Sequence, residues 1–170
     1  ISLGIFLIPL IPYYYKLFSR IFKKTSALST FFLTCASIGC ILIGLIPNYP
    51  EIVNIHSVNA VLIFLGFNMF GILSVAIILA DTIINKEKRG ILKNKQLAIF
   101  YVISVVYLFA CTLLTLTFVI GSAGEQYVFK PGTPLLLRPP FWEWQTFVMI
   151  LVSTSLLFIL TPEQVKPIKN

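Results

Sequence analysis

The residues that could bind a polar ligand or take part in chemistry are few, and they gather at the beginnings of two apolar stretches. His56 is the only histidine of the 170-residue chain, and Asn59 follows it three residues later. Glu143 lies between Trp142 and Trp144, more than eighty residues further along. If His56 and Glu143 meet, they could form a polar binding pocket. Alternatively, His56 could act as a general base that Glu143 orients.

The elements that must position these residues are apolar helices. Hydrophobic residues make up 58% of the chain and charged residues 11%, against about 45–50% and about 25% in soluble domains. Five charge-poor stretches are long enough, or nearly so, to cross a hydrocarbon core of about 30 Å. They cover residues 1–19, 27–46, 57–80, 97–121 and 144–161. Because only helices satisfy all backbone amides in lipid, the sequence predicts an all-α polytopic transmembrane helix bundle in a single domain.

The basic residues predict the orientation of this bundle. Lys and Arg are concentrated in the first and third connections, residues 20–26 and 82–96, whereas the second connection, residues 47–56, has none. By the positive-inside rule, loops 20–26 and 82–96 and the C-terminus are cytoplasmic. A multi-pass protein of the cell membrane is expected, with an organelle membrane as the alternative. The net charge of +7 does not indicate nucleic acid, because it is spread over connections between helices.

A five-helix topology places the N-terminus outside. This is awkward for the first stretch, because it begins without a basic flank. An additional upstream helix would place both ends in the cytoplasm. We therefore expect an intact protein of six helices, of which five are visible. Pro9 and Pro12 predict a kink in the first stretch.

Small residues predict where the helices come close together. Ala36, Cys40 and Gly44 recur at intervals of four on one face of the second stretch. Such a face lets another helix approach closely in lipid. Packing within the bundle is the preferred interpretation, and self-association or contact with other membrane subunits is the alternative.

Several kinds of chemistry have no support in the sequence. A single histidine, with no paired cysteines or carboxylate cluster at ligand spacing, does not predict a metal site. No glycine-rich phosphate loop predicts a nucleotide cofactor, and no nucleophile elbow predicts a hydrolase. No catalytic residue is therefore assigned, and an enzyme is disfavoured.

One segment resembles a known group of membrane proteins. Residues 44–71, GLIPNYPEIVNIHSVNAVLIFLGFNMFG, and the later FWEWQ resemble motifs of the DRAM-like (damage-regulated autophagy modulator) superfamily of six-helix proteins. The matching residues are Gly44, Pro47, His56, Glu143 and Trp144. The resemblance implies a six-helix fold and a loose association with lipid handling, although much of the prokaryotic branch has no assigned activity.

Three functions follow as expectations. The first is binding of a membrane lipid headgroup in an outer pocket that contains His56, Asn59, Glu143 and Trp144. The second is an accessory subunit of a larger membrane complex, and the third is a lipid-modifying enzyme. A purely structural alternative also stands, in which Glu143 opposes the dipole of its own helix and Trp144 anchors the membrane interface.

Overall fold

The protein is helical throughout the part that the structure describes. A computed structural model describes residues 2–45, 53–84, 95–121 and 139–160, with the side chains of 2–45, 58–81, 83, 96–117 and 141–160. The helices are α1 (Ser2–Leu7), α2 (Leu10–Phe18), α3 (Lys23–Leu45), α4 (Val53–Ile84), α5 (Lys95–Gly121) and α6 (Pro139–Leu160). These ranges contain no strand, and the predicted all-α class is confirmed.

Four helices are long and apolar enough to cross a membrane. Their candidate spans are Lys23–Leu45, Val58–Asp81, Gln96–Thr117 and Phe141–Leu160. The first apolar stretch forms a shorter helical segment, Ser2–Phe18. These helices fit an integral, multi-pass membrane protein, as predicted. The orientation stays a prediction.

The kink predicted from the prolines is present as a break in the first stretch. Helix α1 ends at Leu7 and α2 begins at Leu10. Around the break, the amides of Ile8 and Ile11 donate to the carbonyls three residues earlier, at 3.3 and 3.2 Å. Pro9 and Pro12 have no N–H to give, so the regular bonds to the fourth residue back are lost there.

The long helices begin earlier than the hydropathy predicts. The largest difference is in α6, which begins at Pro139 rather than Trp144. Proline is favoured in the first turn of a helix, because an N–H there would have no acceptor within the helix. The segment FWEW is therefore helical.

The contacts divide the chain into two compact units. The first unit holds α1 to α4, and the second, Gln96–Ile159, holds α5 and α6. In the first unit α3 is central, because α1, α2 and α4 all pack against it. Tyr14 of α2 lies in this core with its ring 5.5 Å from that of Phe70 in α4 and 5.9 Å from that of Phe18. The single domain stays a prediction.

Helices α3 and α4 run antiparallel and very close together. A Cβ atom placed on Gly66 of α4 would lie 2.8 Å from both the Cβ of Ala36 and the carbonyl oxygen of Phe32. A Cβ on Gly39 of α3 would lie 2.9 Å from a side-chain carbon of Ile63. Both glycines therefore stand at points where one helix backbone approaches the other, which is how packing gains energy in lipid.

Hydroxyl groups on α3 are mostly bonded to the helix itself. Ser26, Thr30, Thr34 and Ser37 each donate to the carbonyl oxygen four residues earlier, at 2.6, 2.8, 2.8 and 2.9 Å. This arrangement satisfies each hydroxyl without a second helix. Polar residues can therefore lie on α3 inside an apolar membrane.

Candidate functional site

The predicted site residues lie near the beginnings of α4 and α6. His56 is the fourth residue of α4, and its side chain lies outside the described residues. Asn59 is one turn further along, at the start of the candidate span Val58–Asp81. Residues three apart share a helix face. His56 and Asn59 thus occupy one face at the level where α4 enters the predicted membrane.

Asn59 is almost completely buried against α3. Only 4% of the residue is exposed, and its backbone oxygen would lie 3.1 Å from a Cβ on Gly39. The side-chain nitrogen Nδ2 is buried and has no acceptor among the residues that the structure describes. A buried amide donor without an acceptor lowers the stability of the folded protein by about 1–3 kcal/mol. A carbonyl or phosphate oxygen of a ligand would supply one.

Glu143 and Trp144 lie in the second turn of α6. Glu143 is half-buried and follows the first helical turn, in which no acidic residue lies. The dipole effect of a helix fades beyond its first turn, so that explanation of Glu143 is weak. Trp144 is 71% exposed, at the start of the span Phe141–Leu160, where tryptophan is enriched at membrane interfaces.

The two halves of the predicted pocket belong to different units. Asn59 is in the first unit and Glu143 in the second. The approach of His56 to Glu143 therefore stays a prediction.

The small-residue face of α3 is used within the first unit. Ala36 meets Gly66 of α4 at the close approach, and Cys40 is buried. Gly44, the third member of this face, is exposed. Packing inside the bundle thus accounts for Ala36, while self-association stays a prediction.

The structure shows a polar pair between α3 and α4 that the sequence analysis did not predict. The hydroxyl oxygens of Ser29 and Ser74 lie 3.4 Å apart, and that of Ser29 is also 3.5 Å from the carbonyl oxygen of Phe70. Ser26, Ser29, Thr30 and Ser37 are all buried. Their spacing of three, four and seven residues places them on one face of the helix. This spacing is visible in the sequence and could have predicted a polar face on α3.

The second unit contains a groove that the sequence analysis also did not predict. It has a volume of about 410 Å³ and is lined by Phe100, Ile103, Ser104 and Tyr107 of α5 and by Met149, Val152 and Leu156 of α6. These positions repeat at three to four residues on each helix, as one helical stripe does. Hydropathy alone does not reveal such a groove, because most positions around it in α5 and α6 are apolar as well.

The described residues offer hydrogen-bonding groups and apolar surface. Within the described ranges, no three His, Cys, Asp or Glu side chains lie close enough to hold a metal ion. Cys35, Cys40 and Cys111 are free thiols, the last two of them buried. What the arrangement can do chemically is donate hydrogen bonds at the end of α4 and offer apolar surface along α5 and α6.

Comparison with known proteins adds no relative. No family model, no curated protein and no solved structure matches this chain. The resemblance to the DRAM-like superfamily therefore stays a prediction, and the function has to be argued from the residues of the chain itself.

Proposed function

We propose that this integral membrane protein binds a lipid by its polar headgroup at the beginning of α4, with the Asn59 amide as a hydrogen-bond donor. His56, three residues earlier on the same helix face, belongs to this site, and a contribution of Glu143 and Trp144 to lipid binding stays a prediction. The lipid is held and not chemically changed. The observation that carries the proposal is the buried Nδ2 atom of Asn59, which has no acceptor among the described residues.

The depth of Asn59 supports a headgroup as the ligand. Asn59 is the second residue of the candidate span Val58–Asp81, and each helical residue rises by about 1.5 Å. The amide therefore lies within a few ångströms of the end of the apolar segment. Phosphate and ester oxygens of lipids occupy this level and accept hydrogen bonds from an amide.

The packing around Asn59 supports a rigid site. The adjoining backbone is held by the close approach of Gly39 to Ile63. A donor on a fixed helix loses little conformational freedom when it binds a ligand. The burial of Asn59 excludes water, which strengthens a hydrogen bond to a charged oxygen.

Native mass spectrometry of the full chain, extracted from its own membranes in mild detergent, tests this proposal. The unaltered protein should carry a lipid of constant mass, and Asn59→Leu should lose it. His56→Ala and Glu143→Gln should weaken lipid retention while leaving the helical content unchanged. The mass of the retained lipid would identify its headgroup class.

Asn68→Leu is the matched control. Asn68 lies nine residues further along α4, where its amide donates to the carbonyl oxygen of Phe64 at 2.7 Å. Loss of this amide should leave the lipid bound. Undiminished lipid on the Asn59, His56 and Glu143 variants, or a protein that carries no lipid at all, would overturn the proposal.

A second candidate function is an accessory subunit of a larger membrane complex. It is favoured by the low burial of the second unit, where 33% of the span in α5 and 28% of that in α6 is buried, against 56% in α4. Such faces are available to a partner helix. A protein partner at fixed stoichiometry in the same mass spectra would support this candidate, and a lone chain would contradict it.

A further inference from the structure

We propose that the turn between α2 and α3 binds the headgroup of an anionic phospholipid, whose acyl chain lies along one face of α3. All residues of this site belong to the first unit. The site is separate from that of Asn59, which lies beside Gly39, sixteen residues or about 24 Å along α3 from Lys23. The two sites therefore bind lipids at opposite ends of the same helix.

The positive charge of the first unit is concentrated at this turn. The basic side chains that the structure describes in this unit all fall within nine residues and are all exposed: Lys16, Arg20, Lys23 and Lys24. The only acidic side chain described in the same unit is Asp81, which is buried. One carboxylate balances one cation, so most of the positive charge stays unbalanced among the described side chains. An anion is therefore the ligand that this surface fits.

The turn is held in place by its backbone. The carbonyl oxygen of Phe18 accepts hydrogen bonds from the amides of Ile21 and Phe22, at 3.0 and 3.2 Å. The carbonyl oxygen of Phe22 accepts from the amide of Ser26 at 2.9 Å and from its hydroxyl at 2.6 Å. Phe18 and Ser26 are both fully buried. The basic residues thus stand on a fixed support, and binding a headgroup has to order only their side chains.

The depth of the turn matches the level of lipid phosphates. The candidate span Lys23–Leu45 has 23 residues, which corresponds to about 35 Å of helix. A hydrocarbon core is about 30 Å thick. The first residues of α3 therefore lie at the boundary between hydrocarbon and water, where the ammonium groups of lysines can donate hydrogen bonds to phosphate oxygens.

An apolar stripe next to Lys24 indicates that the anion is a lipid. Leu28 and Phe31 follow Lys24 by four and seven residues, so the three residues share one face of α3. Leu28 is 48% exposed and Phe31 58%. This face offers a cation at the headgroup level and then about 10 Å of apolar surface. A phospholipid has the same order of parts, a charged phosphate followed by acyl chains, whereas a soluble anion would contact the cation alone.

Photolabelling in a mixed bilayer tests the proposal. The full chain is reconstituted in phosphatidylcholine nanodiscs with a trace of phosphatidylglycerol or phosphatidylcholine that carries a diazirine in its acyl chain. The labelled residues are identified by mass spectrometry. Phosphatidylglycerol should label residues 22–31 about fivefold more than phosphatidylcholine does, the factor that corresponds to about 1 kcal/mol for one basic residue. Both leaflets of a nanodisc have the same composition, so the result does not depend on the orientation of the chain.

Two double variants separate the effect of charge from that of structure. Lys23→Gln combined with Lys24→Gln should lower the preference for phosphatidylglycerol about fivefold. Lys23→Arg combined with Lys24→Arg keeps both charges and should retain the preference. Asn59→Leu should leave the labelling of residues 22–31 unchanged, because that site lies at the other end of α3.

A salt titration of the unaltered chain makes the same test without a substitution, and it serves if the glutamine variant does not fold. Raising the salt concentration from about 0.1 to about 1 M shortens the Debye length from about 10 to about 3 Å. The preference for phosphatidylglycerol should fall accordingly.

Equal labelling of residues 22–31 by the two lipids would overturn the proposal. A preference that persists in the glutamine variant or at high salt would overturn it as well, because it would not arise from these charges. A preference of the same size around Trp144, which is exposed near the beginning of α6, would show general enrichment of the lipid instead of a site.

Discussion

The hydroxyl groups of Ser29 and Ser74 face each other across the α3–α4 contact, with their oxygens 3.4 Å apart and both residues buried. The Ser74 hydroxyl also donates to the carbonyl oxygen of Phe70 at 2.6 Å. Its oxygen can therefore accept the proton of Ser29 while its own proton is engaged. The pair links two helices that glycine contacts already bring together.

Ser29→Ala should lower the free energy of unfolding by about 0.6 kcal/mol, the average for polar contacts between membrane helices. Unfolding by sodium dodecyl sulfate in mixed micelles measures this change. Ser104→Ala is the control, because the Ser104 hydroxyl bonds only within α5 among the described residues. Equal losses in the two variants would show that the Ser29 hydroxyl does not couple the helices.

Gly66→Ala should destabilise the first unit. The added Cβ would lie 2.8 Å from both the Phe32 carbonyl oxygen and the Ala36 Cβ, and neither atom can swing aside. The steric cost of about 1–3 kcal/mol equals or exceeds the gain in helix propensity, which is about 1 kcal/mol. A net loss of stability of up to about 2 kcal/mol is therefore expected. The same micelle titration measures it. Gly44→Ala, at an exposed position, should not destabilise the protein, and equal losses at the two sites would contradict the close approach.

Asn59→Leu should raise the stability of the lipid-free protein by about 1 kcal/mol, because it removes a buried donor that no described acceptor satisfies. Asn68→Leu should have the opposite effect, since it deletes the bond to the Phe64 carbonyl. Thermal unfolding of delipidated protein in detergent distinguishes the two. A destabilised Asn59→Leu variant would mean that the amide has an acceptor within the protein.

Trp144 should report the depth of the beginning of α6. The chain has two tryptophans, so Trp142→Phe leaves Trp144 as the only one. Because exposed tryptophans prefer the membrane interface, its fluorescence should be quenched most by lipids brominated near the headgroup. Stronger quenching by lipids brominated near the chain ends would place this residue in the membrane interior instead.

The sequence predicts the helices well because hydropathy and charge are local properties. Each of the four long candidate spans overlaps a stretch recognised from composition alone, and the break at Pro9 follows from the missing N–H. Helix α6 begins five residues before the predicted apolar stretch, because hydropathy does not register that Pro139 and Pro140 suit the first turn of a helix. Helix ends depend on such details of the backbone.

The candidate site is less predictable because it depends on packing. The sequence places His56 and Asn59 on one helix face, yet the burial of Asn59 depends on how α3 crosses α4 at Gly39. The partner of Ser29 is 45 residues away. The groove of α5 and α6 likewise depends on how these two helices lie together, because apolar residues occupy lipid-facing and helix-facing positions alike.

The back-bonded hydroxyls of α3 have a consequence for biosynthesis. The hydroxyls of Ser26, Thr30, Thr34 and Ser37 are satisfied by carbonyls four residues earlier in the chain. Helix α3 therefore exposes few unsatisfied polar groups to lipid. We therefore expect that α3 can enter the bilayer before α4 has been synthesised. The pairing of α3 with α4 is then a later and separable step, in which Ser29 gains its partner and the glycines draw the helices together.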